Sequence, residues 1–258
     1  SATGSRPIFY QWYRDGAVVS NATNSTLTVG PVSFADHGAR FFCMASNYID
    51  ATAYTAISSN ATLTVVSIAS TLTHRYNFAN NANDLVGMAH GTLLGGATIS
   101  GGQVVLSGSS AYVDLPDNLV TGYTSVTFET WVMNTGSGSW ARIWDFGNAA
   151  GVNMFLTWPS GSSTLRVAFN PGSGEQLVDG PLPGNNVMQH IVFTQDGATQ
   201  VARLYVNGIQ VAQNSGFTLT PGAIGVTAND WLGRSQYSTD PYFVGRIDEF
   251  RIYGVALP

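Results

Sequence analysis

The acidic residues of this chain do not form the pair that glycoside hydrolysis requires. The sequence has only three glutamates, Glu129, Glu175 and Glu249, and none of them has another acid two residues away. Retaining hydrolysis uses two carboxyl groups about 5 Å apart, which alternate positions on one face of a strand would supply. Glu129 instead has Trp131 at that spacing, a combination that suits binding or structure. The acids therefore predict a protein that is not an enzyme.

Residues that could act as nucleophiles are equally isolated. The sequence has one cysteine, Cys43, no Gly-x-Ser-x-Gly motif, and no histidine in a recognisable triad pattern. Phosphate-binding and dinucleotide-binding glycine motifs are absent as well. One alternative stays open, an enzyme with an unfamiliar site in which Glu129 or Asp145 would act.

Aromatic side chains beside planar polar groups favour a binding function. Sugars present C–H faces that stack on Trp or Tyr, and hydroxyls that hydrogen-bond to Arg, Asp, Asn and Gln. Trp131, Trp144 and Phe146 lie in strongly alternating apolar strands and are predicted to be core residues, whereas Trp231 could pack or bind. The predicted ligand-binding residues are Trp140, Arg142, Trp158, Trp231, Arg234, Gln236, Tyr237, Asp240 and Tyr242.

Short strands must position these residues. In the last strand, alternation predicts that Asp248 shares a face with Phe250 and Ile252, opposite Ile247 and Glu249. A carboxylate on such an apolar face is costly unless it is hydrogen-bonded, paired with a cation or bound to a metal.

A three-stranded meander is predicted shortly before this strand. The segments HIVFTQ, VARLYV and IQVAQ are separated by turns at 196–197 and at Asn207 and Gly208. Asn-Gly is a strong hairpin signal, because a type I′ turn needs positive φ at both central residues. No segment keeps a period of 3.6 residues, so no helix of any length is expected and the fold class is all-β.

Six ordered segments of residues 73–254 resemble the bacterial laminin G-like domains. This resemblance implies a concanavalin A-like jelly roll and a role in binding glycans or extracellular partners, without naming a ligand. The segments that carry it are HRYNFANNANDLVG, SAYVDLP, TSVTFETWV, WARIWDFG, HIVFTQDG with ARLYVNG, and WLGRSQ with DPYFVGRIDEFRIY.

The same resemblance implies a structural calcium ion, because laminin G-like domains often carry one. Calcium takes six to eight oxygen ligands, and the loop NNANDLVG is rich in side-chain oxygen. The expected metal ligands are Asp84 and Asp248, with Asn80 as a weaker candidate. In the alternative, Asp84 caps a turn through backbone hydrogen bonds, and Asp248 pairs with Arg246 or Arg75.

The N-terminal part resembles an incomplete immunoglobulin-like sandwich. Trp12 matches the tryptophan of strand C, and Cys43 follows a segment like the start of strand F, but the partner cysteine of that family is missing. The early strands are expected upstream of residue 1, and Cys43 is predicted to be a buried thiol. The expected domains are a partial immunoglobulin-like domain at 1–66, a hinge at 67–72 and a laminin G-like jelly roll at 73–258.

The composition of the chain argues against two kinds of partner, nucleic acid and the membrane interior. All ten basic residues are arginine and the net charge is −5, without a basic run, so nucleic acid is not an expected partner. No apolar run approaches the ~20 residues that span a bilayer, so membrane insertion is not expected. The few charges suit an extracellular or cell-surface location.

The resulting prediction is a non-catalytic recognition module of a larger secreted or cell-surface protein, with carbohydrate as its first expected ligand. The alternative is a structural or adhesive repeat that binds protein, or that self-assembles through the incomplete immunoglobulin-like domain.

Overall fold

A computed structural model describes residues 6–65 and 71–258 of the chain. The chain forms two compact units, which meet in sequence between residues 70 and 71. The predicted hinge at 67–72 lies largely outside the described residues, and Leu72 already belongs to a strand.

In the first unit, residues 6–65 form one antiparallel sheet in the order β2-β1-β3-β4, with β5 also pairing with β3. Trp12 on β1 and Cys43 on β3 are direct cross-strand partners. This is the neighbour relation of strands C and F in an immunoglobulin domain, and membership of that family stays a prediction. The elements are β1 Phe9–Arg14, β2 Ala17–Val18, a 3₁₀ turn Phe34–Asp36, β3 Arg40–Ile49, β4 Thr52–Ile57 and β5 Ala61–Thr62.

This first sheet buries few side chains. Among the side chains of 6–65 whose burial is described, only Ala39 and Phe41 are buried, and β4 is exposed along its whole length. The prediction that Cys43 is a buried thiol is wrong, because this side chain is only half-buried. No second sheet covers its face within the described part of the unit.

The second unit is a sandwich of two antiparallel sheets. One sheet has seven strands in the order β15-β14-β13-β12-β19-β10-β7. The other has eight strands, ordered β18-β17-β16-β11-β20-β9-β8, with β6 also pairing with β20. The strands are β6 Leu72–Tyr76, β7 Thr92–Leu94, β8 Thr98–Ser100, β9 Gln103–Ser107, β10 Tyr112–Leu115, β11 Ser125–Asn134, β12 Arg142–Ala149, β13 Val152–Thr157, β14 Leu165–Pro171, β15 Gln176–Gly180, β16 Gln189–Asp196, β17 Val201–Val206, β18 Ile209–Asn214, β19 Asn229–Leu232 and β20 Val244–Tyr253.

The core of this sandwich is aromatic. Phe128 of the eight-stranded sheet contacts Trp144 of the seven-stranded sheet, with ring centroids 4.3 Å apart, and both side chains are almost fully buried. Phe146 and Phe250 extend the same cluster across the two sheets. Burying each ring contributes about 1.5–3 kcal/mol, so this cluster fixes how the sheets stack. The predicted all-β jelly-roll sandwich is confirmed.

The predicted meander is formed by β16, β17 and β18. Asn207 and Gly208 both have positive φ, at 52° and 79°, as the Asn-Gly turn requires. Within the described residues, the expectation that there is no helix fails at Pro221–Ile224, which forms a four-residue helix, α1. Among the described residues, no helix has the length and apolar character to cross a membrane.

The predicted alternation of the last strand is wrong at Asp248. Trp131 pairs with Glu249 and Val132 with Ile247, so Asp248 is the extra residue of a β-bulge. The bulge turns Ile247 to the core side, where it is fully buried like Phe250. Asp248 is half-buried beside that core strand.

Candidate functional site

The outer face of the seven-stranded sheet carries a row of polar and aromatic side chains. Asp145 on β12 lies directly between Phe155 on β13 and Trp231 on β19, and direct cross-strand partners point to the same side. Trp144 and Phe146, the neighbours of Asp145 along β12, point into the core. The alternation of β12 therefore directs Asp145 to the outer face.

A loop from Gly233 to Phe243 covers part of this face. It connects β19 to β20, and the backbone N–H of Gln236 donates to Oδ2 of Asp145 over 3.0 Å. The Gln236 side chain bonds twice to Asn229, at its side-chain nitrogen and its carbonyl oxygen. Gln236 therefore holds the loop in place, and its side chain is engaged within the protein.

Beside this loop lies an open pocket of about 260 Å³, the candidate functional site. Five segments supply its walls: the turn before β12, strands β12 and β13, the β14–β15 hairpin, and the loop between β19 and β20. The residues that line it are Trp140, Arg142, Phe155, Glu175, Tyr237 and Asp240.

Arg142 forms the rigid base of this pocket. Its Nε donates to Asp145 over 3.3 Å, its Nη1 to the Trp140 carbonyl over 2.8 Å, and its Nη2 lies 3.2 Å from Asp240. The guanidinium also stacks on Phe155, 3.9 Å from the ring centroid. Burial lowers the pKa of Arg142 from its usual value, and the two carboxylates oppose that shift. A guanidinium has five N–H groups, and three of those of Arg142 lie against these acceptors of the protein.

Asp145 is the buried counter-ion of Arg142. It is inaccessible to solvent, and burial raises its pKa to about 6 against the opposing effects of Arg142, Asn153 and Gln236. Asn153 donates to its second oxygen over 2.8 Å. The carboxylate therefore acts on the pocket through Arg142 and stays out of reach of a ligand.

Trp140 gives the pocket its stacking surface. Its backbone has φ 71°, in the left-handed region that costs energy for a residue with a side chain. Its N–H donates to the Pro159 carbonyl over 2.8 Å and helps to hold that conformation. Arg142 and Arg166 lie 5.4 and 5.7 Å from the ring centroid, and the side chain is half exposed. An indole fixed beside donors and carboxylates suits the apolar face of a sugar.

The structure brings four predicted ligand-binding residues together in this pocket: Trp140, Arg142, Tyr237 and Asp240. Sequence reasoning missed Phe155 and Glu175. The hairpin position of Glu175 was readable, but nothing in the sequence places that hairpin beside Trp140.

Three further predicted residues form a separate aromatic group with Tyr112, which sequence reasoning also missed. Arg234 stacks over Trp231 at 3.9 Å and over Tyr112 at 4.8 Å, and Tyr242 lies 6.2 Å from Tyr112. Trp231 is only 8% exposed and donates its indole N–H to Asp114 over 2.8 Å. Trp231 therefore mainly supports Arg234.

Trp158 is not a surface residue. It is 1% exposed and belongs to the core cluster. Met154 and Leu156, which lie four and two residues before it on β13, belong to the same cluster. The alternation of β13 continues through Trp158 and turns its ring inward. Its prediction as a ligand-binding residue is wrong.

The prediction that Trp131 is a core residue is wrong. It lies on the outer face of the eight-stranded sheet, stacked on His190 at 4.1 Å with Arg251 4.9 Å from its ring. Glu129 on the same face accepts hydrogen bonds from His190 over 2.9 Å and from the Tyr253 hydroxyl over 2.6 Å. These contacts hold Glu129 in a network of side chains on the sheet.

The residues around Asp84 do not fit a calcium ion. Its Oδ1 accepts from the backbone N–H of Arg75 over 2.9 Å and of Val86 over 3.0 Å. Its Oδ2 accepts from His74 Nδ1 over 2.7 Å and from the Ala89 N–H over 3.2 Å. These four donors occupy the lone pairs that a cation would need. This is the turn-capping arrangement that the sequence left open as the alternative.

The other two expected ligands do not complete a metal site. Asn80 is exposed, and Asp248 lies in the bulge, where burial and the neighbouring Glu249 raise its pKa. Arg75 pairs with Glu249, the residue next to Asp248. No cluster of three or more His, Cys, Asp or Glu side chains suited to a metal occurs in the described parts of the chain.

Solved structures with a similar fold include several carbohydrate-associated domains. Domain 4 of AbnA, an extracellular GH43 arabinanase from Geobacillus stearothermophilus solved with arabinotriose, is 25% identical, with TM-score 0.62 and coverage of 72% of this chain and 94% of that domain. The binding domain of botulinum neurotoxin DC is 15% identical, with TM-score 0.57 and coverage of 74% and 49%. The NanB sialidase of Streptococcus pneumoniae is 18% identical, with TM-score 0.51 and coverage of 60% and 26%.

A search of curated proteins found no match. The model of the Laminin_G_3 family, described as the concanavalin A-like lectin/glucanases superfamily, matches residues 107–258. The matched segment contains the whole pocket and runs from the end of β9 to the end of the chain. The chain belongs to this concanavalin A-like laminin G family.

Proposed function

We propose that the second unit is a non-catalytic carbohydrate-binding module that acts outside the cell as part of a larger protein. The observation that carries this proposal is the pocket in which Trp140, Tyr237 and Phe155 surround Arg142 and two carboxylates. Aromatic faces can stack on the C–H side of a sugar while the charged groups bond its hydroxyls. The similar AbnA domain, solved with arabinotriose, supports a glycan as the ligand.

The charged groups of the pocket favour binding over catalysis. Asp240 lies 3.2 Å from Arg142, and Glu175 lies 3.6 Å from Arg166. Glycoside hydrolysis needs two carboxyl groups that act on the glycosidic bond as acid and base or nucleophile. Here each lining carboxylate lies in an ion pair with an arginine, an arrangement that suits acceptors of hydrogen bonds from sugar hydroxyls.

The first test is titration calorimetry of the whole chain with arabinotriose, together with a glycan array. We expect saturable binding that falls at least about tenfold for Trp140→Ala, because an aromatic anchor at the centre of a site dominates its affinity. Tyr54→Ala, which removes a 55% exposed ring from the first unit, is the matched control.

Chromatography of arabinotriose that has been incubated with the whole chain should show no hydrolysis product. Binding that Trp140→Ala leaves intact would reject this pocket as the site. A well-folded chain that binds no glycan on the array would reject the proposed function.

The exposed sheet of the first unit supports a second role, attachment to another protein. An apolar opening of about 320 Å³ is lined in part by Tyr10, Trp12, Cys43 and Ile57. Among the strands of 6–65, β4 lies at an edge of the sheet, and all six of its residues are exposed. Unpaired edges and apolar faces favour pairing with another chain. Light scattering across a dilution series tests self-association, and a monomer at every concentration would exclude it.

A further inference from the structure

We infer that the pocket of the second unit selects uncharged glycans and excludes sugar acids. This inference rests on the proposed function, since it names the class of ligand for the same site. The lining residues include two carboxylates, Glu175 and Asp240, and one cation, Arg142. A ligand carboxylate would therefore enter a pocket whose own walls carry more negative than positive charge.

The charge of Arg142 is already compensated inside the protein. Asp145 lies 3.3 Å from its Nε, and Asp240 lies 3.2 Å from its Nη2. Its side chain is 3% exposed, so it has no freedom to turn away from these partners toward a ligand anion. A binding site for a sugar acid would instead present a guanidinium whose paired N–H groups face the ligand.

The neighbouring Arg166 is compensated in the same way. Two of its nitrogens donate to Asp179, over 2.8 and 2.7 Å, and a third lies 3.6 Å from Glu175. Together, the two arginines Arg142 and Arg166 face four carboxylates in this region: Asp145, Asp179, Glu175 and Asp240.

This excess of carboxylates suits hydroxyl groups. A sugar hydroxyl donates to a carboxylate oxygen and accepts from a guanidinium N–H, so the pocket can bond a neutral sugar without a change in net charge. A sialic or uronic acid brings a carboxylate that repels Glu175 and Asp240 and loses its hydration on entry. Like charge therefore provides the discrimination, and Trp140 and Tyr237 provide stacking for either class.

The inference is tested by comparing neutral and acidic glycans on the same array, with arabinotriose and sialyllactose titrated in solution. We expect binding to neutral glycans alone, and a change in affinity of no more than about twofold when salt rises from about 0.05 M to about 0.5 M, because no net charge pairs form. Acidic glycans bound as tightly as neutral ones, with loss on Trp140→Ala, would overturn the inference and leave the proposed function standing. An array without any binding would reject both.

Charge variants of Glu175 give a second, independent measurement. Its side chain is 32% exposed on a hairpin, so Glu175→Lys should fold like the wild type. We expect this variant to improve the ratio of sialyllactose to arabinotriose affinity at least about tenfold. Asp50→Lys, which makes the same change in net charge at an exposed turn of the first unit, should leave the ratio unchanged. An unchanged ratio in Glu175→Lys would contradict the inference.

Discussion

The indole ring of Trp140 occupies the space that a side chain at Gly161 would need. A Cβ atom at Gly161 would lie 2.7 Å from Cζ2 and 2.8 Å from Nε1 of that ring. Gly161 is exposed and does not have positive φ, so an alanine could adopt its backbone conformation. The contact with Trp140 therefore requires a glycine at position 161. Through this contact, the turn that contains Gly161 supports the ring that forms the stacking surface of the pocket.

Gly161→Ala should weaken glycan binding with little loss of stability. The added methyl group must displace the Trp140 ring, and a shifted ring loses its stacking on the sugar. We expect affinity for a bound glycan to fall at least about fivefold, while the free energy of unfolding changes by no more than about 1 kcal/mol. Calorimetry and urea unfolding measure the two effects.

Gly184→Ala is the control for this substitution. The nearest atom to its added methyl group, Nε2 of Gln189, would lie 4.0 Å away, and Gly184 does not have positive φ either. Equal affinities in the two variants would show that the position of the Trp140 ring does not control binding.

Residue patterns predicted the strands of the second unit well, because one face of each strand must enter the core. The Asn207-Gly208 turn and the meander are local features, and both are confirmed. The error at Asp248 arose where pairing between distant strands decides the outcome. The bulge at Asp248 depends on the register against Trp131 and Val132 of β11, which the sequence of β20 does not contain.

The candidate site shows the same division. Trp140 with Arg142, and Tyr237 with Asp240, were found from aromatic and polar residues close together in sequence. Phe155 and Glu175 join them only because β12 pairs with β13, and the β14–β15 hairpin lies at their edge of the sheet. The strand order of the sheet brings those segments together, and short sequence motifs do not predict that order.

Removal of metal ions should leave the stability of the second unit unchanged, whereas substitution of Asp84 should lower it. In Asp84→Ala the partly buried donors of His74, Arg75, Val86 and Ala89 lose their acceptor, and each donor that water does not reach costs about 1–3 kcal/mol. Thermal unfolding with and without EDTA checks the first expectation, and urea unfolding checks the second. A fall in melting temperature with EDTA in the wild type, but not in Asp84→Ala, would establish a cation at Asp84.

Loss of the Arg142 guanidinium should destabilise the second unit mainly through Asp145. Arg142→Met leaves that carboxylate buried without its cation, at a cost of about 3–5 kcal/mol. The double variant Arg142→Met with Asp145→Asn should regain a large part of this loss, because the buried charge is gone. Urea unfolding of both variants measures the difference.

Arg203→Met is the matched control for Arg142→Met. The Arg203 side chain is half exposed and bonds the Gln213 side chain over 3.2 Å, so a change of no more than about 0.5 kcal/mol is expected. If the double variant is no more stable than Arg142→Met alone, the buried charge of Asp145 is not the cause of the loss.

Asp230 should make the protein less stable as the pH rises toward neutral. The side chain is fully buried, and burial raises its pKa to about 7 despite hydrogen bonds from Leu119 and Thr227. Its Oδ1 has no hydrogen-bond partner among the described residues. The unfolded chain has an aspartate pKa of about 3.9, so the folded state binds the proton more tightly. The stabilisation that the protonated Asp230 contributes to the folded state is fully present below about pH 4 and is lost as the pH rises through about 7.

Between about pH 5 and about pH 8 this group should lower the free energy of unfolding by on the order of 2 kcal/mol. Carboxylates with lowered pKa, such as Glu129 and Asp179, are ionised in both states over this range and add no slope. Asp145, whose pKa is raised to about 6 by burial, adds a slope of the same sign over the lower part of this range. Asp230→Asn should therefore reduce the slope, most clearly between about pH 6 and about pH 8, and raise stability at the upper end, whereas Asp50→Asn at an exposed turn should keep the wild-type slope. Urea unfolding at the two pH values measures this, and a wild-type slope in Asp230→Asn would show that Asp230 does not keep its proton in the folded state.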